Sequence, residues 1–201
     1  PDPAPGDIRF KDVDGDGEIT PDDRTVTGSY FPDFTWGVNN RLTFKNIDFS
    51  FLIQGVEGNE ILNLTSRHMK NGEANFNSYA IFNERWRSPS EPGNGYMPRA
   101  DRQTGNHGNN NRPSSFQVED GSYVRLRNVT LGYTVPTDNF FGSKIQKLRF
   151  YVTGTNLFTI TDYLGYNPEV SSITTNSLTP GEDYGAFPLT KSFTLGINLK
   201  F

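Results

Sequence analysis

The fold is decided by the last ten residues of the chain, Ser192-Phe193-Thr194-Leu195-Gly196-Ile197-Asn198-Leu199-Lys200-Phe201. Every second residue in this stretch is apolar, and the residues between them are polar or glycine. Because successive side chains of a β-strand point to opposite faces, a period of two predicts a strand with one apolar face. Ten residues is also about the length that a tilted strand needs to cross a bilayer. An edge strand of a soluble β-sandwich is the alternative explanation.

The same alternation recurs in four earlier segments. They are residues 34–44, 47–54, 128–135 and 148–160. The first two are joined by the short turn Lys45-Asn46 and are predicted to form a hairpin. Three charged residues, Arg41, Asp48 and Arg149, lie mid-strand on the polar side of the pattern. A packed sandwich core would hold such charges at a high cost, whereas the water-filled interior of a barrel would hold them readily. The pattern therefore predicts an all-β fold, with five antiparallel strands of a transmembrane β-barrel.

The composition agrees with a barrel wall and excludes several other classes of protein. Hydrophobic residues make up only 33% of the chain, yet aromatic residues reach 13%, and disordered chains are poor in aromatics. The net charge of -4 offers no basic face of the kind that binds nucleic acid. The absence of cysteine excludes disulfides and thiol chemistry. No apolar run is long enough to predict a transmembrane helix.

The connections between these segments alternate between short and long. Long polar stretches are uncommon inside compact domains, but outer-membrane barrels combine short periplasmic turns with long extracellular loops. If Phe201 lies on the periplasmic side, every long stretch lies outside the cell. Aromatic and apolar residues at helical spacing within 77–87 predict a short amphipathic helix in the largest loop. The predicted organisation is an extracellular loop at 1–33, a hairpin at 34–57, an extracellular loop at 58–121, two strands at 122–160, an extracellular loop at 161–190 and the closing strand at 191–201.

An aspartate-rich stretch near the start of the chain matches a calcium-binding loop, in which six to eight oxygens surround the ion. The predicted metal ligands are Asp12, Asp14, Asp16, Glu18 through its backbone carbonyl, Thr20 and Asp23. Gly17 fills the position of the sharp turn, and Asp23 replaces the usual final Glu. Thr20 and Pro21 predict the cap and first residue of a short helix. Carboxylates at this spacing repel one another unless a cation holds them, so we expect a structural calcium ion. A solvated Asp/Gly turn is the alternative.

Other candidate residues carry a weaker signal. Six loop aromatics are predicted to contact substrate or a partner protein, with simple loop packing as the alternative: Tyr79, Trp86, Tyr96, Tyr163, Tyr166 and Tyr184. The loop carboxylates Glu73, Glu84, Glu91 and Asp101 have no separation fixed by the sequence, so they do not define a glycosidase pair. His68 and His107 have no partner at metal-ligand or triad spacing. The sequence therefore predicts no catalytic residue and no enzyme.

Several segments in this order together resemble the SusC/RagA-like TonB-dependent outer-membrane transporters. They are Gly6 to Ile8, Asp12 to Gly17, Asp23 to Gly28, Pro32 to Gly37, Ser122 to Tyr133, Gly154 to Phe158 and Gly165 to Val170. The terminal Phe201 is likewise similar to the last residue of closing strands in outer-membrane proteins. The resemblance covers nearly the whole chain.

The resemblance implies the C-terminal five strands of a twenty-two-stranded barrel in the bacterial outer membrane. Such a barrel holds an N-terminal plug, takes energy from the TonB complex and is capped by a SusD-like surface lipoprotein, and it imports oligosaccharides or peptides. Because the chain begins at Pro1 without an initiator Met or signal peptide, we expect a portion that pairs with the remaining N-terminal barrel and plug within the lipid bilayer. The alternative from another class is a secreted, calcium-stabilised β-sandwich that binds carbohydrate.

Overall fold

A computed structural model describes residues 4–70, 72, 77–100, 109–136, 145–170 and 180–201. The chain divides into two compact units. The sheet unit comprises Phe31–Glu60, Asp120–Glu169 and Phe187–Phe201, and the loop unit comprises Pro1–Tyr30, Ile61–Glu119 and Val170–Ala186. None of the helices in the described ranges combines the length and the apolar character needed to span a membrane.

The regular elements are predominantly strands. In chain order they are β1 (Phe34–Phe44), β2 (Ile47–Glu57), β3 (Glu60–Asn63), α1 (Leu64–Lys70), β4 (Val118–Asp120), β5 (Tyr123–Val135), β6 (Lys147–Thr161), β7 (Glu182–Asp183) and β8 (Ser192–Lys200). Short 3-10 helices lie at Pro21–Asp23, Ala80–Glu84, Asn109–Asn111 and Ser115–Gln117. All five segments with period-two alternation form strands, as the sequence predicts.

Five strands build one antiparallel sheet in the order β1-β2-β5-β6-β8. The register aligns apolar residues across the whole sheet. One such row is Leu42, Phe49, Leu131, Val152 and Leu195, each opposite the next. Because this alignment continues from strand to strand, the alternating apolar residues fall on one face, whereas Leu52 and Val56 lie on the polar face. This face is largely uncovered in the chain, and the exposed fraction reaches 83% at Leu195.

The alternation in β5 changes phase part-way along the strand. Its apolar positions are even-numbered up to Leu126 and odd-numbered from Val129 onward. The pairing with β2 skips Arg127, which makes this residue a β-bulge. The neighbouring strand β6 contains an extra residue at the same level, where Asn156 adopts a left-handed backbone with φ of 52°. The two irregularities preserve the apolar face on both sides of the phase change.

The loop unit is less regular, but the 58–121 segment within it is not a continuous irregular loop. Three short strands form a second sheet in the order β4-β3-β7. The helix α1 follows β3 directly, and the Asn63 side chain accepts a hydrogen bond from the Ser66 backbone N–H at 2.9 Å. Within 77–87, the expected amphipathic helix is only a five-residue 3-10 helix, Ala80–Glu84. The sequence does not predict α1, because the buried residues of the helix, Leu64, Ser66 and Lys70, do not form an apolar stripe.

Candidate functional site: the polar face of the sheet and the aspartate loop

An ion-paired group crosses the polar face near the β1–β2 turn. Arg149 on β6 donates from Nε and Nη2 to the two carboxylate oxygens of Asp48 on β2, at 2.7 and 2.5 Å. Arg41 on β1 lies 4.0 Å from the same carboxylate. Strand β5 lies between the two partners, and Gly132 is the residue beneath the pair. A Cβ at Gly132 would come within 2.3 Å of Arg149 Nη2. Glycine is therefore required for the Asp48–Arg149 pair to lie across β5. The three residues Arg41, Asp48 and Arg149 are named the Asp48 cluster.

A second group, the Glu169 cluster, lies at the opposite end of the polar face. It consists of Tyr123, Arg125, Arg127, Asn167 and Glu169. Arg125 is 1% exposed, and its guanidinium donates to Glu169 at 2.5 Å and to Asn167 Oδ1 at 3.0 Å. Arg127 donates from Nη1 to both Glu169 oxygens, at 2.8 and 3.0 Å. The Tyr123 hydroxyl donates to Glu169 at 2.7 Å. These contacts fix the segment after β6 to the polar face of β5.

The β-bulge explains how two arginines reach one carboxylate. Arg125 is a regular polar-face residue of β5, whereas Arg127 is the bulged residue. A bulge redirects a side chain relative to the regular pleat, and Arg127 contacts the same carboxylate as Arg125. Burial on its own raises the pKa of Glu169, but the Tyr123 hydrogen bond and the two arginines lower it more, so the net pKa is below its usual range. Glu169 is therefore an anion held by two cations.

Period-two alternation predicts that Arg41, Asp48 and Arg149 lie mid-strand on the polar face, and the register confirms that placement. The alternation predicts no site at Arg125, Arg127 and Glu169. A usable signal was present, because the two segments that meet here, 122–133 and 165–170, are both among those that carried the family resemblance. Their contact was not readable from sequence, since the two segments are about forty residues apart.

The aspartate loop brings together three of its six predicted ligands. Carboxylate oxygens of Asp12, Asp14 and Asp16 lie within 4.8 Å of one another. Two oxygens bound to one calcium ion lie at most about 5 Å apart, because each Ca–O distance is about 2.5 Å. The three carboxylates therefore fit a single calcium ion. Asp12 also accepts hydrogen bonds from the Gly15 and Gly17 backbone N–H groups at 2.6 and 2.9 Å, which folds the loop around the carboxylates.

The C-terminal half of the aspartate loop is arranged differently. Asp23 is not part of the three-carboxylate group; its oxygens accept hydrogen bonds from the Thr20 and Val13 backbone N–H groups, both at 2.7 Å. These bonds hold the pKa of Asp23 below its usual range. Thr20 caps the 3-10 helix Pro21–Asp23, as the sequence predicts, and accepts from the Asp22 N–H. Glu18 donates its backbone N–H to Asp16, which continues the chain of loop hydrogen bonds.

The six predicted contact aromatics are divided between the two units. Tyr79, Trp86, Tyr96 and Tyr184 belong to the loop unit, whereas Tyr163 and Tyr166 belong to the sheet unit. Within the loop unit, the Trp86 ring lies against Gly6, and the Tyr96 ring lies 5.0 Å from that of Phe116. Tyr163 is 5% exposed, whereas Tyr166 is 74% and Tyr184 is 62% exposed. Their role as contact residues stays a prediction, and local packing already accounts for Trp86 and Tyr163.

The weaker candidates fall in several environments. His68, expected in a loop, lies in α1 and is exposed. Glu84 accepts a hydrogen bond from the Asn94 side chain at 3.0 Å, and Glu91 lies 4.0 Å from Arg87. The three residues Glu73, Asp101 and His107 lie outside the described residues.

Comparison with known proteins identifies the family. No protein-family model matches the chain. The chain is 40% identical over its whole length to TonB-dependent receptor P3 of Formosa agariphila, of which it covers 19%. It is 26% identical to TonB-dependent receptor SusC of Bacteroides thetaiotaomicron, over 96% of the chain and 17% of that protein. The chain belongs to the SusC-like family of TonB-dependent receptors. This SusC-like chain spans about a fifth of the length of the relatives that it matches.

Solved structures match the fold of this SusC-like chain. The RagAB peptide importer in its closed-closed state superposes with a TM-score of 0.74 at 22% identity, covering 92% of the chain and 19% of the matched one. Its open-open state gives a TM-score of 0.73 at 21% identity, with the same coverage. The predicted all-β barrel class is thereby confirmed as the fold of the matching part of that transporter. The relatives are receptors and transporters rather than enzymes, as predicted for the chain.

Proposed function

We propose that the chain forms part of the wall of an outer-membrane importer that takes up oligosaccharides or peptides. The observation that carries the proposal is the division of one five-stranded sheet into a continuous apolar face and a charged, hydroxyl-rich face. A barrel wall has this pattern because one face meets lipid and the other meets water. The chain would act by binding and guiding cargo, without bond chemistry.

The partners of the importer follow from the family and the open sheet. Strands β1 and β8 are the edges of the sheet, and an open edge is not tolerated in lipid. We therefore infer that both edges pair with the remaining N-terminal barrel, which also holds the plug. A SusD-like lipoprotein would cover the outer side, and the TonB complex would supply energy through the N-terminal part. A twenty-two-stranded closed barrel is the corresponding full structure.

The apolar face separates this proposal from the sandwich alternative. A sandwich covers the apolar face of one sheet with a second sheet of similar size. The other sheet within the described residues has strands of only four, three and two residues. The five strands of the large sheet are nine to fifteen residues long, which meets or exceeds the length needed to cross a bilayer. Lipid is the cover that fits these dimensions.

The orientation of the loops is part of the proposal. Strands β1 and β2 are joined by the two-residue turn Lys45-Asn46. We infer that this end, which also carries Phe201, faces the periplasm. The stretches 1–33, 58–121 and 161–190 would then lie outside the cell, where Tyr79, Tyr96 and the other candidate aromatics could meet cargo or the lipoprotein.

A pair of adjacent substitutions tests the barrel proposal. Leu195→Lys places a charge on the apolar face, and Thr194→Lys places the same charge on the polar face of the same strand. A lysine facing lipid near the bilayer midplane costs about 2–4 kcal/mol, so we expect the first variant of the intact receptor to fail in outer-membrane assembly. The second should assemble normally. Assembly is measured by the folded, heat-modifiable fraction in outer-membrane preparations.

Two results would contradict the proposal that the chain is part of an importer. If Leu195→Lys assembles as well as Thr194→Lys, the apolar face does not meet lipid. If the native protein is recovered without detergent as a lone monodisperse chain, the calcium-stabilised carbohydrate-binding sandwich replaces the importer. Recovery in mild detergent with the rest of the barrel and a surface lipoprotein supports the proposal.

We also infer that the aspartate loop binds one structural calcium ion. The proposal is supported by the fit of the Asp12, Asp14 and Asp16 oxygens to one ion, and it assigns the remaining coordination to Glu18, Thr20 and Asp23. The ion would stiffen an outer loop by neutralising carboxylates that otherwise repel one another.

Calcium removal tests this site in the intact receptor. Chelation should increase amide hydrogen exchange in residues 12–23, and added calcium should restore protection. Asp14→Asn, which retains the Oδ1 acceptor for the Asp16 N–H, should weaken the response to calcium. Asp22→Asn is the matched control, because Asp22 lies in the same loop but outside the predicted ligands. Equal exchange with and without calcium would exclude the site.

A further inference from the structure

We propose that residues 162–169, named the strap, fold inward over the polar face and narrow the outer opening of the barrel. Glu169 is the positioning residue that holds the strap there, and the strap limits the size of the molecules that can enter. The proposal rests on the importer and the loop orientation proposed above, which make the polar face the inner wall. It is carried by contacts that lie entirely within the sheet unit.

The path of the chain reverses after β6. Thr161, the last residue of β6, is opposite Tyr123, the first residue of β5. Eight residues further on, an extended chain could lie as much as ~27 Å beyond this end of the sheet. Instead, the Glu169 carboxylate is bound by Arg125, whose Nε donates to the Thr159 hydroxyl at 2.9 Å. Because Arg125 and Thr159 are paired two residues inside the strand ends, Glu169 has returned over the sheet.

The strap covers the polar face and not the apolar one. Tyr123 and Arg125 occupy the odd-numbered positions of β5 that precede the bulge, which alternate with its apolar residues. Their exposed fractions are 5% and 1%. Both contact the strap, through Glu169 and Asn167, and Asn167 is itself 8% exposed. This burial is complete within the chain, so it does not depend on any other part of the barrel.

The strap has bonds that keep its own shape. The Asn167 side chain accepts from the Glu169 backbone N–H at 3.2 Å, and an asparagine that bonds the backbone two residues on is typical of a tight turn. Pro168, between them, restricts the backbone further. At the other end, the Tyr163 ring lies against Gly165, where a Cβ would come within 2.3 Å of it. The strap is therefore a structured element fixed on the wall.

Glu169 is the point at which the strap is fastened. Tyr123, Arg125 and Arg127 all donate to its carboxylate, at distances from 2.5 to 3.0 Å. Hydrogen bonds between charged groups are the strong ones, so three donors on one carboxylate hold the segment firmly. A layer packed on a sheet lies roughly 10 Å above it. On an inner wall this thickness is subtracted from the opening.

Hydrogen exchange in the intact receptor tests the positioning role. Glu169→Ala removes the acceptor of all three donors, so exchange in 162–169 should rise about a hundredfold or more. Glu169→Gln keeps one acceptor oxygen but no charge, and should raise it about tenfold. Glu57→Gln is the matched control, because Glu57 is opposite Phe34 at the same end of the sheet but on the apolar face; it should leave the strap unchanged. Unchanged exchange of the strap in Glu169→Ala would overturn the proposal.

The size of the opening separates narrowing from a purely structural role. The intact receptor is placed in planar bilayers, and its plug is loosened with urea on the periplasmic side, at a concentration that leaves strap exchange in the unsubstituted receptor unchanged. Conductance is measured with polyethylene glycols of graded size. In Glu169→Ala the conductance should rise and the largest polymer that enters should be larger, because the strap is no longer held on the wall. Glu169→Gln should give a smaller shift and Glu57→Gln none.

The contradicting result is distinct from a failure of the importer. An unchanged size limit in Glu169→Ala, with strap exchange raised, would show that the strap does not narrow the opening, and would overturn the proposal. In a receptor that passes the Leu195 and Thr194 assembly test, this result leaves the importer intact. If Leu195→Lys assembles as well as Thr194→Lys, there is no lipid-facing wall, and the importer and the strap proposal fail together.

Discussion

The two units of the chain are stabilised in different ways. In the sheet unit, antiparallel backbone pairing runs across five strands and is interrupted only at the bulge at Arg127 and the adjacent irregularity at Asn156. The loop unit has backbone bonds as well, in its three-stranded sheet and elsewhere, but many of its bonds join a side chain to the backbone. Asp7 accepts from the Ala4 N–H at 2.8 Å, and Asn110 accepts from the Ile8 N–H at 2.7 Å. Backbone pairing tolerates many side chains, whereas each of these side-chain bonds depends on one particular residue.

This difference determines where a substitution should have an effect. In the sheet unit the face that a side chain occupies matters most, because the ladder itself does not use side chains. In the loop unit the loss of one oxygen or amide removes a backbone bond directly. The exceptions in the sheet unit are the two charged clusters, where side chains bind across strands or to the segment after β6. The largest expected effect therefore lies in one of them.

Arg125→Ala should give the largest local effect. It removes a buried guanidinium that bonds Thr159, Asn167 and Glu169. Breaking a buried pair costs about 3–5 kcal/mol, and we expect about 3 kcal/mol because Glu169 keeps partial exposure and its bonds from Arg127. Hydrogen exchange in residues 162–170 of the intact receptor should rise strongly, while the exchange of β1 and β2 stays unchanged. Arg127→Ala is the matched comparison and should have a smaller effect.

An equal rise in exchange across all five strands would contradict this reasoning. It would show that the Glu169 cluster holds the sheet together, and not only the segment that follows β6.

Asp7→Ala should have the next largest effect, in the loop unit. The Asp7 side chain is 2% exposed and accepts from Arg99 Nε at 2.6 Å and from the Asn110 side chain at 2.9 Å. Its loss leaves the buried Asn110 amide without this acceptor, at a cost of about 2 kcal/mol. Limited proteolysis of residues 4–10 should accelerate in the variant. Asp22→Ala, an exposed residue of the same unit, should not change it.

The same carboxylate predicts a pH dependence. Burial raises the pKa of Asp7, but hydrogen bonds from Arg99, Ala4 and Asn110 lower it more, so the folded pKa is below the usual value. A lowered folded pKa means that the stabilisation is complete above the unfolded pKa of about 3.9 and is lost as the pH falls through the folded value. Protection of residues 4–10 from exchange should therefore decline below about pH 4. Asp7→Asn should remove this part of the pH dependence.

The fold was predictable to the extent that it depends on period-two alternation. The five strands of the sheet, including the hairpin around Lys45-Asn46, follow from that pattern. The apolar positions change from even to odd numbers between Leu126 and Val129, which also indicates the bulge. The alternating segment predicted from Asn128 onward does not include it. The helix α1 was not predicted, since seven residues give too few turns for a helical period to show.

The candidate site was only partly predictable, for a physical reason. Alternation along a strand shows on which face of the sheet each residue lies, so the sequence alone predicts that Arg41, Asp48 and Arg149 lie on the polar face. Glu169 lies in the segment after β6, where the sequence shows no regular alternation from which the direction of a side chain could be predicted. The grouping of the Asp12, Asp14 and Asp16 carboxylates was predictable because the three residues come from one short segment, whereas the calcium ion stays a prediction. The contact between Arg125 and Glu169 joins distant segments, and only the folded chain brings them together.

Asn63→Ala should have a smaller effect that is confined to the loop unit. The Asn63 side chain caps α1 through the Ser66 N–H and donates to Glu119 at 3.1 Å. Loss of an N-cap costs about 1 kcal/mol, so exchange in residues 64–70 should rise moderately. Asn63→Ser, which keeps a capping oxygen without placing a second carboxylate next to Glu119, should retain the cap but not the bond to Glu119. A rise of equal size in both variants would show that the Glu119 contact, and not the cap, stabilises the helix.

Thr130→Val should have the smallest effect and sharpens the contrast between the units. It deletes a side-chain hydrogen bond to Thr153 on the polar face but keeps a β-branched shape that suits a strand. Because the backbone ladder between β5 and β6 does not involve this hydroxyl, we expect a cost of about 0.5 kcal/mol. Exchange of β5 and β6 should change less than exchange of α1 changes in Asn63→Ala. A larger change in Thr130→Val would mean that hydroxyl contacts, and not backbone pairing, control the stability of the sheet.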